Sequence, residues 1–126
     1  MIYLYGARGH AKVIIETLEL EKKIIGGLID ANPLISSLSD YSVNTKIPSC
    51  FDAINDSFIV SIGNNAIRKN IVNELVCNFD LAIHPSSTIS KSVTPGIGTV
   101  VMAGVCVNVD SQIGKHVILN TNCSVD

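Results

Sequence analysis

Hydrophobic positions along the chain change period near residue 83, and the change separates two stretches of different architecture. In the first, Ile2, Tyr3, Leu4 and Tyr5 form a short apolar run closed by Gly6-Ala7-Arg8-Gly9. Val13, Ile14, Thr17, Leu18 and Leu20 then mark the inward face of a helix, so the N-terminus predicts a strand, a tight turn and a helix. Residues 24–29 read as a second strand ending at Asp30, and residues 58–62 as another, ending at Gly63. Ile67, Ile71, Val72 and Leu75 recur at helical spacing and mark a second helix. Strands alternating with helices predict a parallel sheet with helical crossovers. Residues 31–56 are rich in Ser, Asn and Asp and contain Pro33 and Pro48, so they read mainly as loop, with weak signals for a short strand and for a short helix near 51–54.

From residue 83 onward every sixth position is apolar: Ile83, Ile89, Pro95, Val101, Val107, Ile113, Leu119 and Val125. Two positions before each of the last seven stand Ser87, Val93, Thr99, Val105, Ser111, Val117 and Cys123, all small or β-branched. A helix cannot keep a strict six-residue period on one face, and an ordinary strand would show alternation broken by turns. Short strands on each side of a triangular coil satisfy it. The fold class predicted is therefore α/β, with a small Rossmann-like parallel-sheet domain over residues 1–83 and coiled repeats over residues 84–126.

Composition narrows the partners. The chain has 126 residues, 47% of them hydrophobic and 16% charged, which fits one globular domain and excludes disorder and coiled coil. Its apolar runs stay far short of the roughly 20 residues of a bilayer-spanning helix, so no membrane span is expected. Nine Lys plus Arg against eleven Asp plus Glu give a formal charge of −2 without a basic cluster, which argues against nucleic acid. Cys50, Cys77, Cys106 and Cys123 form no CxxC pair, so no metal site is suggested and free buried thiols are expected. No charged stretch precedes an apolar segment at the N-terminus, so a secretory signal is not visible and the expected location is cytoplasmic.

Candidate chemistry collects at strand ends. Gly6 and Gly9 flank a strand-to-helix turn where free backbone N–H groups and the helix dipole favour a phosphate, although the pattern is not GxGxxG and a plain turn would look the same. Asp30, 21 positions after Gly9, stands where Rossmann-like folds place an acid on a ribose hydroxyl. Asn64 and Asn65 follow a strand and open a helix, so capping accounts for at least one of them. Arg68 and Lys69 read as a solvated helix face, and His84 and His116 as structural residues.

The hexads, with Ile113-Gly114 and residues 115–121, resemble the left-handed parallel β-helix of hexapeptide acyltransferases. Residues 5–12, Ser61-Ile62-Gly63-Asn64-Asn65 and Ile83-His84-Pro85-Ser86 narrow the resemblance to the sugar acyltransferases typified by the bacterial PglD and NeuD proteins. It covers essentially the whole chain. The resemblance implies acetyl transfer from acetyl-CoA to a nucleotide-linked amino sugar in bacterial surface glycan biosynthesis. O-transfer to a sugar such as sialic acid, or a non-catalytic nucleotide-sugar-binding module, are the alternatives. A UDP-amino sugar is expected across Gly6, Ala7, Arg8, Gly9 and His10, with Asp30, Gly63, Asn64 and Asn65. Asp126 is by resemblance the catalytic acid just before the base His, and the base and most of the coenzyme A site fall outside residues 1–126. Complete members of the family are homotrimers, so self-association is expected.

Overall fold

In the computed structural model, which describes residues 1–126, strand β1 (Ile2–Tyr5) leads into helix α1 (Gly9–Leu20) and strand β2 (Ile25–Ile29). The chain continues through β3 (Ser37–Leu38), β4 (Tyr41–Asn44), β5 (Ser57–Val60) and helix α2 (Asn65–Glu74) to β6 (Asn78–Phe79). These six strands form one sheet in the order β3-β4-β2-β1-β5-β6, parallel except for the antiparallel β3–β4 pair. Continuous apolar runs suit the centre of such a sheet, where both faces are covered. Accordingly Leu4, Leu28, Phe58 and Ile59 are fully buried.

Helix α1 covers one face with Ala11, Ile14, Ile15 and Leu18, the i, i+3, i+4, i+7 stripe of an amphipathic helix. The stripe is rotated from the expected one: Val13 and Leu20 lie outside it and are 39% and 51% exposed. On the other face Tyr3, Ile29 and Phe58 are buried beneath Phe51 and Phe79. The segment 31–56, expected as loop, carries β3 and β4. Val43 is the one buried residue of β4, which gives an edge strand little hydrophobic pattern. No helix forms at 51–54, where the Asp52 carboxylate instead accepts the Ile54 N–H at 2.9 Å and closes a turn. The four free cysteines are not buried as expected: Cys50 is exposed, and Cys77, Cys106 and Cys123 are half-buried.

The hexads wind into a parallel β-helix. Its strands are β7 (Ala82–Ile83), β8 (Thr88–Ile89), β9 (Val100–Val101), β10 (Cys106–Val107), β11 (Ile118–Leu119) and β12 (Ser124–Val125). They stack as two parallel sheets, β7-β9-β11 and β8-β10-β12. Each residue pairs with one 18 positions on, as Ala82 with Val100 and Val100 with Ile118, so one turn of the coil is three hexads. Val101, Val107 and Leu119 point inward with Val93 and Val105, and Ile83, Ile89, Ile113, Val117, Cys123 and Val125 pack on them.

Because side chains alternate along a strand, Ala82, Val100 and Ile118 point out of the coil where Ile83, Val101 and Leu119 point in. Ala82 and Val100 join Met102 in the same core as Ile14 and Leu18 of α1, with Ile118 packed against it. Two polar links reinforce this seam. Lys23 Nζ donates to the Leu81 carbonyl at 2.8 Å and pairs with Asp80 at 3.4 Å, while Glu21 accepts the Ile83 N–H at 2.9 Å.

Candidate functional site

The order of strands dictates where a ligand fits. From β1 the chain steps to β2 and β4 on one side, then returns to β5 and β6 on the other. The strand order therefore reverses between β1 and β5, and in open parallel sheets ligands bind at such a switch point, beyond the carboxyl ends of the strands. Tyr5 is in register with Ile29 and with Val60, so the loops that begin at Gly6, Asp30 and Ser61 emerge side by side.

Short bonds fix these loops. Ser61 Oγ donates to the Gly6 carbonyl at 2.6 Å, and Gly6 N–H donates to Ile29 O at 2.7 Å. Gly6 has φ +118, and a Cβ there would lie 2.7 Å from Ile62 Cγ1, so the close approach requires glycine. Asp30 accepts the Ala7 N–H on one oxygen at 3.0 Å and the Asn32 N–H on the other at 2.9 Å. Arg8 caps α1 without a side-chain bond, no acid stands in the first turn, and the N–H groups of Arg8, Gly9 and His10 donate to nothing within the chain. This end of α1 is an uncompensated positive pole.

Two cavities meet above the switch point. One, of about 540 Å³, is walled by Tyr5, Ile62, Ile67 and Ile71, with Gly6, Arg8, His10, Asp30 and Gly63 completing it. The second, of about 610 Å³, lies between the β5–α2 loop and the coil, against Asn65, Arg68, His116 and Asn120. His10 and Gly63 line both, so the two form one cleft with His10 at its waist. No three His, Cys, Asp or Glu side chains converge as a metal ligand set would.

Five of the residues expected at a binding site, Gly6, Arg8, His10, Asp30 and Gly63, share the first cavity, and Asn65 lines the second. Ala7 contributes its N–H to Asp30 and is buried. Gly9 opens α1 and Asn64 caps α2, its side-chain oxygen accepting the Ile67 N–H at 3.0 Å; neither lines the cleft. Asp126 is exposed at the end of β12, outside both cavities, and holds the Asn108 side chain. His84 is structural: its Nδ1 accepts the Ser86 N–H at 3.1 Å.

Arg68 departs from its expected role, whereas His116 packs as a structural residue that also lines the cleft. Arg68 is buried rather than solvated. The His116 ring stands edge-on to Phe79 at 4.6 Å, and its Nδ1 is buried without a partner, as is His10 Nε2. Burial holds the pKa of both histidines below the ordinary histidine value, with the Arg68 charge acting in the same direction and Lys115 adding to it at His116. A histidine kept neutral in the fold takes up its proton more readily when unfolded. Stability should therefore be full above the unfolded pKa near 6.5 and fall as pH drops below it toward the lowered folded values. Thermal unfolding between pH 7.5 and 5 checks this, and His116→Asn should flatten the slope.

The chain is similar to several known proteins. The family described as the PglD N-terminal domain matches residues 1–75. The UDP-N-acetylbacillosamine N-acetyltransferase of Bacillus subtilis (strain 168) is 43% identical over 49 residues, 36% of this chain and 23% of that protein. Among solved structures, PerB from Caulobacter crescentus in complex with CoA and GDP-perosamine superposes with a TM-score of 0.81 at 32% identity, over 99% of this chain and 62% of its own. The acetyltransferase domain of PglB from Neisseria gonorrhoeae FA1090, in complex with acetyl coenzyme A, gives a TM-score of 0.85 at 30% identity, over 99% of this chain and 63% of its own. The chain thus spans less than two thirds of the length of each of these relatives.

Proposed function

Since this chain belongs to the PglD N-terminal domain family, we propose that it is the nucleotide-sugar-binding part of an acetyltransferase that modifies the amine of a nucleotide-linked amino sugar. The observation that carries the reading is the convergence of the Gly6, Asp30 and Ser61 loops on one cleft that runs from the sheet to the coil. Residues 1–83 form the binding domain and residues 84–126 the opening coils of a left-handed hexapeptide β-helix. The base stacks against the apolar wall of Tyr5, Ile67 and Ile71, and Asp30 accepts a ribose hydroxyl with the lone pairs that Ala7 and Asn32 leave free. The diphosphate meets the free N–H groups of Arg8 and His10, the two cleft-lining residues at the positive pole of α1.

The sugar then extends past His10 into the cavity beside His116 and Asn120. The bacillosamine N-acetyltransferase supports a UDP-linked sugar and N-transfer over O-transfer. Acetyl-CoA is the co-substrate, as the PerB and PglB complexes suggest. A cytoplasmic homotrimer is the assembly that the β-helix family implies, and no helix here is long and apolar enough to cross a membrane.

Titration calorimetry with UDP and a UDP-4-amino sugar tests the reading. Both should bind, and Asp30→Ala should weaken both by about 1–3 kcal/mol through loss of a ribose hydrogen bond. Equal affinities for wild type and Asp30→Ala would remove Asp30 from the site, and binding of NADH but not UDP would replace the reading with a cofactor domain.

A further inference from the structure

Arg68 is the one buried charged residue of the chain, with 8% of its surface accessible, and it takes part in none of the chain's ion pairs. Its partners are neutral oxygens on two different parts of the fold. Nη1 donates to the Ile62 and Gly63 carbonyls at 3.0 and 3.1 Å, and Nη2 to Asn65 Oδ1 at 2.6 Å, all in the β5–α2 loop. Nε donates across the cleft to the His116 carbonyl at 3.0 Å, on a corner of the coil. Four of the five guanidinium N–H groups are thereby used. Burying a cation without a counter-charge is costly, and helix α2 would be more stable with an apolar residue facing inward. What the guanidinium supplies instead is a rigid planar fork of fixed span between the start of α2 and a corner of the coil 48 positions beyond Arg68.

The place of that span matters. His116 has a positive φ of 55°, its N–H donates to the Ile97 carbonyl at 2.9 Å and its ring packs over Gly98 and against Phe79, so the corner is fixed within the coil and the Arg68 Nε bond ties it to the far side of the cleft. Gly63, Asn65, Arg68 and His116 all line the cavity on the coil side of the cleft, whereas the cavity with Asp30 and Tyr5 does not include Arg68. We propose that Arg68 is a positioning residue that sets the distance between the Gly63–Asn65 loop and the His116 corner, and so the width of the cavity that receives the sugar. The proposal rests on the nucleotide-sugar reading of the cleft. It assigns Arg68 to discrimination of the sugar, and leaves base and ribose to the other cavity. Lysine has a single ammonium and cannot bridge His116 O and Asn65 Oδ1 together, so Arg68→Lys keeps the charge and removes the geometry.

The test compares affinities for UDP and for a UDP-4-amino sugar by calorimetry on the full chain. A general loss of folding or of nucleotide binding cancels in the ratio of the two. In Arg68→Lys that ratio should fall about tenfold or more, and in Asn65→Ala, which removes one acceptor only, it should fall less but in the same direction. The His116 Cε1–Hε1 cross-peak should also move in ligand-free Arg68→Lys. An unchanged ratio in Arg68→Lys, or an unmoved cross-peak, overturns the proposal while leaving the nucleotide-sugar reading intact. A wild-type chain that binds neither probe overturns that reading and the proposal with it.

Discussion

A polypeptide of residues 1–126 should bind the nucleotide-sugar yet release no coenzyme A from acetyl-CoA above the uncatalysed rate. Acetyl transfer to an amine needs a base that removes a proton as the nitrogen attacks, and histidine does this when a neighbouring acid orients it. None of the three histidines is so placed: His84 Nδ1 is occupied by Ser86, and His10 and His116 have no carboxylate partner. Loss of one positioned base typically costs about 10²- to 10⁴-fold in rate. A thiol-release assay with a UDP-4-amino sugar measures it. A chimera that carries, after residue 126, the part of PerB that lies beyond the matched region should recover turnover. Robust turnover by residues 1–126 alone would place the chemistry at His10 or His116 instead, and failure of a folded, ligand-binding chimera would favour a binding module without catalysis.

A large effect on stability is expected at Gly98. Its φ is +76, and a Cβ there would fall on Nδ1 and Cε1 of the His116 ring. Gly98→Ala therefore combines a left-handed backbone penalty of about 1–2 kcal/mol with overpacking of about 1–3 kcal/mol. Gly104 has the same backbone sign at φ +70, but its Cβ would meet the side chain of exposed Asn122, which is free to swing aside. Gly104→Ala should consequently pay the backbone penalty alone. Denaturant unfolding of the two variants separates the terms, and equal losses would mean that the His116 ring is not held in its seat by Gly98 and Phe79.

Much of the fold could be read from residue order because the physics is local. Apolar runs at 2–5 and 58–60 bounded by turn residues suit the inside of a parallel sheet, and a six-residue period admits little besides a triangular coil. Strand β4 escaped because an edge strand with one buried residue, Val43, has no periodicity to detect. The glycine turn, His10, Asp30 and Gly63 were recognisable as neighbours because parallel strands bring their carboxyl ends together. The apolar wall was not: Ile67 and Ile71 recur at helical spacing, as core residues do, yet they face the cleft. Arg68 gave no signal either, since its burial depends on a carbonyl 48 positions away. The contact between coil and helix α1 has its own sign in the sequence. Ala82, Val100 and Ile118 are apolar at outward positions of the coil, whereas Thr88 and Ser124 on the next side are polar, which marks the side that α1 covers.

That covered side also bears on how fast a ligand is captured. Sheet, helix α1 and coil share one core, and the seam is tied by Arg68 at the cleft and by Glu21 and Lys23 at the linker. The cleft walls therefore have no hinge about which to close. Capture by such a dock does not wait for a conformational step, so the association rate follows diffusion and orientation, and differences among related sugars appear in how long each one stays.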